Sequence, residues 1–257
     1  MEIVVCVKQV PDVDDIKWTK ENNLDREQML SKINPQDEWA IDNAVKSKQK
    51  TRGTTITAIS MGPDKAKEVL EYALAKGVDR AILLSDKKFS GSDTIITAKI
   101  LSRAIKKYIP DFDLIITGQA AIDGDTEQTP IGIATMLNIP DIVNVVEISN
   151  ADNKVAIAKQ QLARESNVVE ASAPCLIAVK EKCDISITPK IESYVKAQII
   201  EIETYNADDL GFGKEEIGIL GSPTVVYKAF RPQNERNAEV IEENPAKAIV
   251  DIIINAN

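Results

Sequence analysis

The stretch Leu114-Ile115-Ile116-Thr117-Gly118-Gln119-Ala120-Ala121-Ile122-Asp123-Gly124-Asp125-Thr126-Glu127-Gln128-Thr129-Pro130 decides the fold. It opens with an unbroken apolar, β-branched run, passes through a polar turn and continues into a helical pattern that runs to about Leu137. An apolar run without alternation is what a strand buried on both faces shows, and such strands belong to parallel sheets with helices on each side. Ile3 to Val7, Thr54 to Met61 and Ala81 to Leu84 are runs of the same kind.

Helical patterns lie between these runs. Asn34-Pro35-Gln36-Asp37 opens the first, with Asn as N-cap, Pro at the first helical position and Asp at the third. Acids early in that segment and Lys46, Lys48 and Lys50 late in it suit the helix dipole. The next helix opens near Asp64, stripes Ala66, Val69, Leu70, Ala73 and Leu74, and stops at Gly77. A third starts near Ser92 or Asp93, with Thr97, Ile100, Leu101, Ala104, Ile105 and Tyr108 on one face, and ends at Pro110. Alternating strands and helices of this length predict an α/β fold with a mostly parallel, doubly wound sheet.

After Asp141 the pattern changes. Val143 to Ile148, Lys154 to Gln161 and Cys175 to Val179 read as strands added antiparallel to the same sheet. From about Cys183 the compact periodicity fades, and a last helix is expected after Asn244, with Pro245 at its first position. The expected organisation is an α/β domain over 1–182, then an extended arm and a C-terminal helix over 183–257. A long segment with little local core either packs on a partner protein or forms a unit of its own.

Composition excludes several chemistries. With no histidine among 257 residues, Ser-His-Asp and Cys-His catalysis and histidine-ligated metals are ruled out. Lys and Arg total 31 against 40 Asp and Glu, a net charge of −9, which speaks against a nucleic-acid surface. Three cysteines, Cys6, Cys175 and Cys183, form no CxxC pair and point to a reducing compartment. The first residues lack a basic, signal-like region, and no stretch reaches 18 apolar residues. A cytoplasmic protein without a membrane span is the expectation.

An open parallel sheet takes ligands at the carboxyl ends of its strands, so the strand-to-helix turns carry the chemistry. Neither a dinucleotide G-x-G-x-x-G nor a Walker phosphate loop is present. In the turn after Thr117, Gly124 frees the backbone for close approach or positive φ. The helix start has two readings: Asp125 with Gln128 as a capping-box pair, or Thr129 as cap before Pro130. Either way backbone N–H groups and the Thr126 and Thr129 hydroxyls converge at a helix N-terminus, an anion site by geometry and dipole. Simple capping is the other reading. Asp123, Asp125 and Glu127 would sit beside ribose hydroxyls or point away from phosphate. Ser60-Met61-Gly62-Pro63 is a second tight turn on the same edge, where an ordinary βα turn is the alternative. Lys8 reads as a solvated or paired lysine, Trp39 as core or interface, and Cys6 as a small apolar filler.

Taken together, several segments resemble the beta (small) subunit of electron-transfer flavoprotein, over about residues 1 to 230. They are Val5-Cys6-Val7-Lys8-Gln9-Val10-Pro11, Asn34-Pro35-Gln36-Asp37-Glu38-Trp39-Ala40, Ser60-Met61-Gly62-Pro63, Ala73-Leu74-Ala75-Lys76-Gly77-Val78-Asp79-Arg80 and, most specifically, Gly118 to Thr129. The resemblance implies an adenine-nucleotide-binding sheet and pairing with an alpha subunit. It implies that Cys6 meets the adenine edge through its backbone, that Asn34 and Asp37 line the adenosine, and that Met61 borders it. Asp123, Gly124, Asp125, Thr126, Glu127, Gln128 and Thr129 would wrap the phosphates.

In the bifurcating branch of the family the nucleotide is FAD, with NADH as electron donor, an FAD-containing dehydrogenase as one partner, and ferredoxin or flavodoxin as low-potential acceptor. The Asp-Gly-Asp-Thr form of the loop resembles that branch. In simple carriers the nucleotide is a structural AMP. An adenine-nucleotide-binding or adenylating protein is the alternative of another class. Val10-Pro11-Asp12-Val13-Asp14 lacks the pyrophosphate loop that an adenylating enzyme needs. The family's dehydrogenase-docking loop falls at Cys183 to Ser193, where Cys183-Asp184-Ile185-Ser186-Ile187-Thr188-Pro189 departs from the usual Pro-Arg-Tyr pattern.

Overall fold

The computed structural model describes residues 1–12, 30–182, 186–227 and 244–255. The chain begins with β1 (Glu2–Cys6), a short antiparallel pair β2 (Gln9–Pro11) and β3 (Ser31–Ile33), and α1 (Pro35–Lys50). Next come β4 (Thr55–Met61), α2 (Lys67–Lys76), β5 (Arg80–Leu84), α3 (Thr94–Tyr108), β6 (Leu114–Gly118) and α4 (Thr129–Leu137). The later elements are β7 (Asp141–Ala151), β8 (Val155–Gln161), β9 (Ser166–Ser172), β10 (Cys175–Val179), α5 (Ile191–Ala197), β11 (Ile202–Tyr205), the single turn α6 (Gly218–Gly221) and α7 (Pro245–Asn255).

Nine strands make one sheet in the order β11-β5-β4-β1-β6-β10-β7-β8-β9. From β11 through β7 every pairing is parallel, and β8 and β9 extend the sheet antiparallel. Successive residues of a strand point to opposite faces, and here both faces are covered. Ile3 and Val5 join Ile56, Ala58, Leu114 and Ile116 under α1 and α2. Val4 joins Ile59, Ile82, Ile115 and Leu176 under α3 and α4. This double cover is why the strands read as unbroken apolar runs. Each fully buried Ile or Leu contributes about 1.5–3 kcal/mol relative to exposure.

Local chemistry sets the helix ends. The Asp93 carboxylate accepts from the Ile96 backbone N–H and caps α3. Gly77 closes α2 at φ 117°, a left-handed position that glycine takes without Cβ strain. A 3-10 turn at Asp64–Ala66 precedes α2. Trp39 is partly buried against the core, as expected.

The segment beyond Asp141 departs from the sequence reading in the direction of two strands: β7, expected to be antiparallel, runs parallel to β10 and antiparallel only to β8. Cys175–Val179 is not an antiparallel addition: it inserts parallel between β6 and β7, and all five of its residues are buried. Its apolar run, read alone, carries no direction. Residues 202–205 return to the main sheet and pair with β5. Residues 183–185 of the expected docking loop and 228–243, a minor part of the expected arm, lie outside the described residues. No helix among the described residues is long and apolar enough to cross a membrane.

Candidate functional site

Strand order reverses at β1. The chain leaves it through α1 to β4 on one side, and later reaches β6 on the other through α3. Crevices beside such a strand, at its carboxyl end, are where open sheets take ligands. Here that place is bounded by Lys8, the start of α1 and the loop 119–128.

The first turn of α1 builds one wall. Asn34 is fully buried, and its side chain caps nothing. Its Nδ2 donates to Ala120 O at 2.9 Å, and its Oδ1 accepts from the Ile122 N–H at 3.2 Å. Gln36 Oε1 accepts from the Ala120 N–H at 2.7 Å. Asp37 accepts from the Lys8 N–H at 2.8 Å and the Gly118 N–H at 3.2 Å, bridging the ends of β1 and β6. A Cβ at Gly118 would stand 2.4 Å from Asp37 Oδ1, so only glycine allows this approach. Burial pushes the Asp37 carboxyl up to about 7, against the opposing pull of its hydrogen bonds and of Lys8.

Lys8 completes the wall. Its carbonyl accepts from the Asn34 N–H at 2.9 Å, and its Nζ meets both Asp123 oxygens at 2.7 and 2.9 Å. The loop then rises into solvent, with residues 122 to 128 all exposed. Asp125 and Glu127 take positive φ, 46° and 56°, and Gln128 is right-handed at φ −94°. Left- and right-handed residues in succession turn neighbouring N–H groups into one concavity, which favours anions. The N–H groups of Thr126, Glu127, Gln128 and Thr129 donate no hydrogen bond among the described residues. They precede α4, whose dipole adds to the pull.

On the α3 and α4 face of the sheet, Cys6 lies in register with Thr117, and Thr117 with Ala178. Cys6 and Met61 are partly buried on that face. Thr117 Oγ1 is buried and, among the described residues, has no hydrogen-bond partner, so a polar ligand that reached it beneath the loop would satisfy it. Burial, and then the charge of Asp37, push the Cys6 thiol up, so it stays protonated and is no nucleophile.

The structure thus brings Asn34, Asp37 and Asp123 into one hydrogen-bonded group around residues 118–123, and it places Cys6 and Met61 on the face below. Asp125, Thr126, Glu127 and Gln128 form the exposed rim, with Thr129 half-buried beside them. Two details of the sequence reading are corrected. Of the two uses expected of Gly124, positive φ is not taken; Asp125 and Glu127 take it instead, and aspartate tolerates that region through local hydrogen bonding. Neither expected cap starts α4 either. Thr129 and Pro130 already belong to the helix, Gln128 holds the N-cap position without a side-chain cap, and its Oε1 accepts from Thr94 Oγ1 at 2.7 Å.

The sequence reading gave no site role to Gln36, Thr94 or Gln119. Gln119 is 2% exposed; its Oε1 accepts from the Asn144 N–H at 2.8 Å, and its Nε2 reaches Glu127 at 3.4 Å. A polar residue directly after a buried strand was the available signal. A groove of about 330 Å³ lies at the opposite, amino end of the strands. Among its polar groups, Thr57 is engaged with Glu2 at 2.9 Å and Arg80 with Glu203 at 2.6 Å.

Comparison with known proteins agrees with this architecture. The family described as electron transfer flavoprotein domain matches residues 23–209. The electron transfer flavoprotein subunit beta of Megasphaera elsdenii is 39% identical, over 99% of this chain and 97% of its own length. Its counterpart from Thermoanaerobacterium thermosaccharolyticum is 36% identical, over 100% and 98%. The caffeyl-CoA reductase-Etf complex subunit CarD of Acetobacterium woodii is 35% identical, over 99% and 97%. The chain belongs to the electron transfer flavoprotein family, among its beta subunits.

Proposed function

We propose that this chain is the beta subunit of a heterodimeric electron-transfer flavoprotein that holds FAD at the carboxyl end of its sheet. In this reading it uses NADH to bifurcate electrons towards a partner dehydrogenase and a low-potential ferredoxin or flavodoxin. The observation that carries it is the row of unpaired N–H groups from Thr126 to Thr129, curved by two left-handed residues at the start of α4. Four adjacent donors suit a diphosphate. Similarity to a subunit of a caffeyl-CoA reductase-Etf complex, and the Asp-Gly-Asp-Thr form of the loop, support the bifurcating branch.

When bound, FAD supplies the electron-transfer chemistry. The chain's own work is positioning. Backbone N–H groups and the Thr126 and Thr129 hydroxyls hold the phosphates. Thr117 Oγ1, the Cys6 backbone and Met61 receive the adenosine on the α3 and α4 face. Asn34, Gln36 and Asp37 act through the loop, whose backbone they hold in place. No side chain here serves as general acid or base. The setting is the cytoplasm, in a complex with an alpha subunit.

The test is nucleotide release. The complex with the alpha subunit is denatured, and FAD and AMP are counted per pair. Two FAD and no AMP support the proposal and lead to NADH-driven reduction assays. One FAD and one AMP make this a carrier subunit with a structural nucleotide. Neither nucleotide removes the site assignment.

A further inference from the structure

Lys8 stands where every part of the loop scaffold meets. Both of its backbone polar groups are engaged, the N–H on Asp37 and the carbonyl on Asn34. Its Nζ grips both oxygens of Asp123, whose side chain is 16% exposed in a loop that is otherwise open. The loop carries three carboxylates, Asp123, Asp125 and Glu127, beside its free N–H groups. Among the described residues no other lysine or arginine pairs with any of them. Three carboxylates around an anion site repel the anion, and neutralising one and turning it away lowers that repulsion.

We infer that Lys8 is a positioning residue for phosphate binding: its ammonium folds Asp123 back against the end of β1 and keeps that carboxylate off the ligand. This rests on the nucleotide reading above and adds what sets the charge of the site. An ion pair as exposed as this adds little to folding stability, so its effect falls on the ligand.

The experiment titrates AMP and, separately, FAD into the nucleotide-depleted complex with the alpha subunit. Lys8→Met is expected to weaken binding about tenfold, the size expected of one unscreened charge near a phosphate. Lys8→Arg should stay close to the parent. Lys8→Met combined with Asp123→Asn should recover most of the loss, because the carboxylate to be held back is gone. A double variant as weak as Lys8→Met would overturn the inference, since Lys8 would then touch phosphate itself. Unchanged binding in Lys8→Met would overturn it as well.

A parent complex that takes up neither nucleotide would remove the site reading but still judge Lys8 by amide exchange. The Gly124 and Asp125 N–H groups both donate to Ala121 O, at 3.1 and 2.8 Å. Faster exchange there in Lys8→Met but not in Lys8→Arg supports the latch; equal exchange in all three proteins refutes it.

Discussion

Two neighbouring regions are anchored to α1 by different means. At its first turn, Asn34, Gln36 and Asp37 reach the backbone of residues 118–122, mostly through neutral dipoles. Glu38 on the same turn and Asp42 one turn later close on Lys76 Nζ at 2.9 and 2.7 Å. Lys76 is fully buried and Asp42 is 1% exposed. Burial drives the Asp42 carboxyl up, and the Lys76 hydrogen bond and charge only partly offset this. Asp42 also accepts from the Ile187 N–H at 3.2 Å, and the Tyr72 hydroxyl donates to Glu38 while its ring leans on Tyr194. The second anchor therefore ties segment 186–190 and α5 to the body through buried charge. The neutral anchor loses one hydrogen bond when a partner goes; the ionic one is left with an uncompensated charge.

That contrast breaks most clearly at Lys76. Lys76→Met is expected to cost about 3–5 kcal/mol in urea unfolding, because Asp42 is left buried and unpaired. Adding Asp42→Leu should recover much of this, and a double variant no better than the single would mean that packing, not charge, is at stake.

Asp37 sharpens the other side. Its folded value of about 7 stands above its ordinary 3.8, so the folded chain holds a proton that the unfolded chain releases. The contribution is fully present below 3.8 and is lost as pH rises through about 7, at a slope of at most about 1.4 kcal/mol per pH unit. Asp37→Asn should remove that slope. Unfolding free energies of both proteins between pH 4.5 and 8 decide it, and parallel curves would contradict the assignment.

The smallest effect is expected at Gly124→Ala. A Cβ there meets nothing within 4 Å, and the residue does not sit at positive φ. Stability should stay within about 0.5 kcal/mol of the parent. A larger loss in thermal unfolding would show that the loop does need glycine at 124.

Most of the fold was legible because its cause is local. Ile3 to Val7, Thr54 to Met61, Ala81 to Leu84 and Leu114 to Thr117 correspond to β1, β4, β5 and β6, since double-sided burial leaves an unbroken apolar run. β9 escaped because Ser166–Ser172 lies at the outer edge of the sheet, where alternate residues are exposed and all but Val168 of them are polar. β11 escaped because Ile202–Tyr205 has four residues and a glutamate paired with Arg80. In the candidate site, the loop and Asn34 were visible as motifs. The work of Gln36, Gln119 and Lys8 was not, because it depends on partners 25 to more than 100 residues away in the chain: 84 for Gln36, 25 for Gln119 and 115 for Lys8.

The strand β11 has a consequence for synthesis on the ribosome. Arg80 in β5 waits for Glu203, 123 residues later, and until then one edge of the parallel sheet is unpaired. At about 5–20 residues per second the nascent chain carries that bare edge for on the order of 6–25 s. An unpaired edge recruits other strands. A chaperone that covers β5 during this window would matter more for the yield of this protein than one acting after release.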